Sequence, residues 1–155
     1  IDKIARFERA SGLERQVYTH KGGKMWLLAE PGYTGLLSIQ AHRILDRQNN
    51  LDSGSWDSND CAFIADEAVR DGLMTGVLTS PNGVTEFIGF GNHTINYMEF
   101  PNGRVMSVDL TASFNIDELV GNFDVLAVGA DNMAALLSRL NTLYGGNWTT
   151  RPVGQ

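Results

Sequence analysis

Asn92-His-Thr-Ile-Asn-Tyr-Met-Glu-Phe-Pro-Asn-Gly-Arg-Val-Met-Ser-Val-Asp-Leu110 reads as two strands about a tight turn. β-Branched and aromatic residues fill both flanks, and Pro101-Asn102-Gly103 interrupts them. A two-residue Asn-Gly turn would pair Pro101 with Arg104 and send His93 and Asp109 to opposite faces of the sheet. Proline favours a three-residue loop instead, in which Pro101 opens a type I turn and Gly103 is left-handed in a G1 bulge. Phe100 then stands opposite Arg104, and Ile95 opposite Asp109. His93 and Asp109 become diagonal neighbours on one face, about 7–8 Å apart at the backbone and within side-chain reach. A carboxylate in an otherwise apolar strand needs such a partner, because burying it unpaired is costly.

Outward from this hairpin, Pro-Asn-Gly recurs at 81–83, and Gly76–Ser80, Val84–Phe90 and Phe123–Val128 read as further strands. Together they predict an antiparallel meander. Upstream, residues 2–10 predict an amphipathic helix with Ile4, Ala5 and Phe7 inward, ended by Ser11-Gly12. Arg15–His20 and Lys24–Glu30 form a hairpin around Lys21-Gly22-Gly23. A helix from about Leu36 to Gln48 turns Leu37, Ala41, Ile44, Leu45 and Gln48 to one side. Asn49–Ser58 is a polar loop anchored by Trp56. At the other end, Asp131 is expected to cap a helix with a stripe of Met133, Leu136, Leu137, Leu140 and Leu143, stopped by Gly145-Gly146. The tail 147–155 reads as polar and peripheral. Helices first and a meander afterwards predict a single α+β domain over residues 1–155.

The chain has 155 residues, 43% of them hydrophobic, enough for one well-formed core. A formal net charge of −6 supplies no electrostatic footprint for nucleic acid or an anionic membrane, and no apolar run is long enough for a membrane span. Its single cysteine excludes an internal disulfide framework and a cysteine-rich metal site. No cofactor or metal is implied. Beginning at Ile1, without an initiator methionine, the chain is expected to be a piece excised from a longer polypeptide.

That cysteine lies in Asn59-Asp-Cys61-Ala-Phe-Ile-Ala-Asp-Glu-Ala68, at the opening of a predicted helix that Asn59 or Asp60 caps and Gly72 ends. Unpaired N–H groups and the positive dipole end at a helix start suit a nucleophile and, later, an oxyanion. Asp60, beside the sulfur, works against this. A buried, inert cysteine is the plain alternative. Among the histidines, His20 falls at a strand end and His42 on a helix flank. His93 follows the roomy Gly89-Phe-Gly-Asn92 approach and has Asp109 within reach. Cys61 as nucleophile, His93 as base and then acid, and Asp109 as the group orienting the imidazole form a candidate triad.

Cysteine at a helix start, histidine on a strand and aspartate on the next strand resemble the papain-like thiol hydrolase superfamily. The segments that carry the resemblance are 59–68 and Gly91-Asn-His-Thr-Ile-Asn-Tyr97 with Gly103-Arg-Val-Met-Ser-Val-Asp-Leu-Thr-Ala112. They are most similar to the compact Cys-His-Asp deamidase and protease domains of bacterial effectors and toxins. The resemblance covers about the C-terminal two thirds; residues 1–50 match no named pattern. It implies a papain-like fold, with the cysteine helix packed on an antiparallel β-meander. Papain's glutamine upstream of the cysteine is missing here, so Ser58 and Asn59, with the Cys61 N–H, are the oxyanion-hole candidates.

The resemblance also implies a secreted or injected effector acting in a target-cell cytosol on a host protein, deamidating a glutamine side chain or cleaving a peptide bond. Two other readings stand beside it. One is a cell-wall amidase or endopeptidase of the CHAP type, which uses a similar Cys–His hairpin. The other is a non-enzymatic binding or immunity-type module with Cys61 in its core.

Overall fold

The computed structural model describes residues 2–51, 60–81, 92–115 and 122–155. Its elements run α1 (Asp2–Ser11), β1 (Glu14–His20), β2 (Gly23–Ala29), α2 (Ser38–Asn49), α3 (Asp60–Arg70), β3 (Gly76–Ser80), β4 (His93–Glu99), β5 (Val105–Asp109), α4 (Ala112–Asn115), β6 (Val125–Ala130), α5 (Met133–Tyr144) and β7 (Thr149–Arg151).

The central hairpin has the register that its turn chemistry requires. Asn96 stands opposite Val108 and Glu99 opposite Val105. Gly103 has φ +86° and donates to Phe100 O at 2.9 Å, while Phe100 N donates to Arg104 O at 2.9 Å. The upstream hairpin closes on Lys21 (φ 50°) and Gly22 (φ 84°), both left-handed as a two-residue type I′ turn demands. Here His20 pairs with Gly23.

All the described strands join one seven-stranded sheet in the order β1-β2-β6-β5-β4-β3-β7. The expected meander is its centre: β3, β4, β5 and β6 pair antiparallel in turn. The expectation of a purely antiparallel meander is corrected on both sides. β2 joins β6 in parallel, which makes the sheet mixed and draws the N-terminal hairpin into it. The tail is not peripheral either, because Thr149–Arg151 adds an antiparallel strand to β3 and Trp148 is buried. The expected strand 84–90 lies outside the described residues, as do Trp56 and most of the loop around it.

Helices cover both faces. One core joins Ile4 and Phe7 of α1 and Leu136, Leu140 and Tyr144 of α5 to Trp26, Leu28, Ile95, Val105 and Val128 of the sheet. The other joins Ala41, Ile44 and Leu45 of α2 and Ile64 and Ala68 of α3 to Met25, Leu27, Met98, Met106 and Val108. Strand alternation explains the division: Met106 and Val108 face α2 and α3, whereas Val105 faces α5. The helix edges differ in detail from expectation. Leu37 precedes α2 and is exposed, and Met133 and Leu137 are only half-buried. Asn132 rather than Asp131 caps α5, accepting from Ala135 N at 2.9 Å. Asp60 is already helical, and the other expected cap of α3, Asn59, is outside the described residues; at the far end of the helix Met74 N reaches Ala68 O at 2.9 Å around left-handed Gly72.

Candidate active site

α3 is pinned to the sheet by Asn96 of β4, whose amide donates to Ala65 O at 2.8 Å and Gly76 O at 3.2 Å. Its first turn therefore lies near the end of the sheet where β3 stops and β4 starts. Cys61 is half-buried there and lines a cleft of about 340 Å³ with Thr79, Pro81, Asn92, Thr94 and Arg151. His93 is the first residue of β4, opposite Ser80. Its backbone is held by Thr79, whose hydroxyl donates to His93 O at 3.1 Å.

His93 and Asp109 meet as the register requires. Nε2 lies 3.0 Å from Asp109 Oδ2, with both side chains withdrawn from solvent. Tyr144, the last residue of α5, donates its hydroxyl to the same Oδ2 at 2.8 Å. Oδ1 accepts from Thr111 N at 3.1 Å and from Thr111 Oγ1 at 3.3 Å. A carboxyl group with almost no exposure thus has hydrogen-bond partners on both oxygens, which offsets the cost of burying it. Trp148 stands edge-on to His93, with ring centroids 6.1 Å apart.

Burial alone would push the imidazole towards its neutral form. It is outweighed by the Asp109 carboxylate, as charge and as hydrogen-bond partner, and then by the nearby Cys61 sulfur. The result raises His93 from 6.5 to about 10. With Nε2 committed to Asp109, Nδ1 is the nitrogen left to the sulfur. It is buried and makes no hydrogen bond of good geometry with any described residue.

The structure brings Cys61, His93 and Asp109 to one place. The oxyanion candidates Ser58 and Asn59 lie outside the described residues. The other two histidines stack on each other, with ring centroids 4.2 Å apart, and His20 is paired with Asp46. A larger cleft of about 610 Å³, bordered by Arg43, Arg47, Asp71 and Glu99, has no cysteine or histidine among its lining residues. Among the described residues, no cluster of three or more His, Cys, Asp or Glu side chains is placed to hold a metal ion, and no helix is long and apolar enough to cross a membrane.

Sequence reasoning missed Tyr144, Thr111 and Arg151. Tyr144 carried one signal, its helical spacing from Leu140 on the buried stripe of α5. Nothing local marks its hydroxyl as a partner for a carboxylate on β5. Compared with protein-family models, curated proteins and solved structures, the chain matches none.

Proposed function

We propose that this protein is a cysteine-dependent amidohydrolase of papain-like type, acting on a glutamine side chain of a target protein. The observation that carries the reading is the buried His93–Asp109 pair at 3.0 Å, with the Cys61 sulfur acting on the same ring and opening on a cleft. A packing cysteine has no need of an aspartate-anchored imidazole beside it.

In the proposed reaction the Cys61 sulfur attacks the carboxamide carbon, its proton held on His93. The negative oxygen of the tetrahedral intermediate faces the start of α3, where the Cys61 N–H is a donor. The C–N bond breaks as His93 protonates the leaving nitrogen, releasing ammonia and leaving a thioester. Water then attacks, giving a proton to His93; the C–S bond breaks, and the product is glutamate with the thiol regenerated. Asp109 holds the ring in one tautomer and stabilises its protonated form throughout.

The modest cleft favours a side chain over an extended peptide on both sides of a scissile bond. A reduced thiol in this role suits a reducing compartment such as a target-cell cytosol, in keeping with a secreted or injected effector. Incubation with candidate target proteins, followed by mass spectrometry, tests the proposal. Glutamine-to-glutamate conversion in an intact target, with ammonia release, is expected, and both should vanish in Cys61→Ala. Discrete fragments without deamidated intact protein would make it a protease, and solubilised peptidoglycan a wall hydrolase. A thiol that iodoacetamide labels only after unfolding would leave the binding-module reading.

A further inference from the structure

Asp109 Oδ2 is shared. His93 Nε2 reaches it at 3.0 Å and Tyr144 Oη at 2.8 Å, while Thr111 occupies Oδ1. We propose that Tyr144 is a positioning residue of the site, its hydroxyl competing with His93 for Oδ2 and so limiting how tightly Asp109 holds the imidazolium. The functional consequence rests on the hydrolase reading above; the competition itself does not.

Besides its place in the core, the tyrosine is aimed at the carboxylate. Tyr144 is 1% exposed, and its hydroxyl points from the last turn of α5 at a carboxylate on β5. Burial first, and then Asp109, keep that hydroxyl protonated well above the ordinary tyrosine range, so it is a donor at every working pH. α5 is held in place for the purpose: Asn132 caps its start, and Asn141 accepts from Trp148 N at 2.9 Å beyond its end. Trp148 in turn packs edge-on against Tyr144 at 5.3 Å between centroids.

A donor on Oδ2 withdraws negative charge from the atom that binds the imidazolium. An unshared carboxylate would hold the proton on His93 more strongly and make the ring a poorer acid towards a leaving amine. Among the described residues, the ionisable groups acting on His93 or on its carboxylate partner are Asp109 on β5, Tyr144 on α5 and Cys61 on α3. Arg151 of β7, which lines the cleft, is paired with Asp66 of α3 at 3.2 Å, and the two charges offset each other. Ser80 on β3 and Trp148 are uncharged. Tyr144 is therefore the neutral hydrogen-bond donor through which α5 acts on the pair.

The test follows the imidazole itself, by NMR titration of His93 in the whole chain. In Tyr144→Phe its midpoint should rise by about 0.5–1 pH unit, and kcat should fall roughly 3–10-fold at unchanged KM, with the alkaline limb displaced upward. 3-Fluorotyrosine placed at 144 is nearly isosteric and a stronger donor, so it should move the midpoint down; it also carries the test alone should the phenylalanine variant fail to fold. A midpoint unmoved in the folded variants, or moved in the same direction by both, would assign the tyrosine to packing and overturn the inference. Opposite shifts in a protein that deamidates nothing would uphold the inference and defeat the proposed reaction.

Discussion

At Asp109 a single side chain receives four donors from three residues: His93, Tyr144 and both the backbone and hydroxyl of Thr111. Asp109→Asn keeps the shape but removes the charge and forces an N–H towards one of those donors. If the proposed reaction holds, turnover should fall by about 10²–10⁴-fold, since the imidazole loses both its tautomer and its counter-charge. Stability should fall by about 1–3 kcal/mol in chemical denaturation, from the unsatisfied groups. His93 also links folding to pH. Its native pKa of about 10 is above the ordinary 6.5, so the native state holds the proton more tightly. The resulting stabilisation is complete below about 6.5 and is lost as pH rises through about 10. Relative to His93→Gln, wild-type protein should therefore hold its largest Tm advantage in mildly acidic buffer, declining across that window.

Among the elements, the β4–β5 hairpin has the most influence on the site, because its register alone sets which residue His93 faces. Gly103 is left-handed, and a Cβ there would meet nothing within 4 Å. Gly103→Ala should thus cost only the backbone strain, about 1 kcal/mol, with the pairing of Asn96 to Val108 preserved in cross-strand NOEs. A shifted register would show instead that the pairing depends on glycine at 103, with the loop setting the sheet and not the sheet the loop. On the far side of the sheet α5 contributes through its ends: Asn132 starts it and Tyr144 finishes it on Asp109.

For the whole molecule, the C-terminal strand completes the cleft. Arg151 of β7 lines it and pairs with Asp66 of α3 at 3.2 Å, both little exposed. Arg151→Ala would leave a buried carboxylate without its counter-charge, an expected loss of about 1–3 kcal/mol. Adding Asp66→Asn should recover part of it, and a double-mutant cycle measures how much. If the two substitutions simply add, the pair is decorative and β7 is held by its ladder alone.

What can be read locally is what short-range chemistry dictates. Pro101-Asn102-Gly103 has one favoured loop, so the hairpin register and the meeting of His93 with Asp109 are legible in the residues themselves. The opening of α3 at Cys61 is legible too, from apolar spacing and a glycine stop. Partners distant in sequence are not. The parallel pairing of β2 with β6, closed by Lys24 N on Asp124 at 2.8 Å, joins segments 100 residues apart. No turn specifies such a pairing; the burial of whole strands selects it, and that depends on every layer at once. The tail reads as peripheral because its polar letters conceal one buried tryptophan and a backbone ladder. Tyr144 reads as one more apolar position on a helix. Only the packing of α5 against β5 turns its hydroxyl towards a carboxylate, since a side chain's partner is decided by what the fold places opposite it.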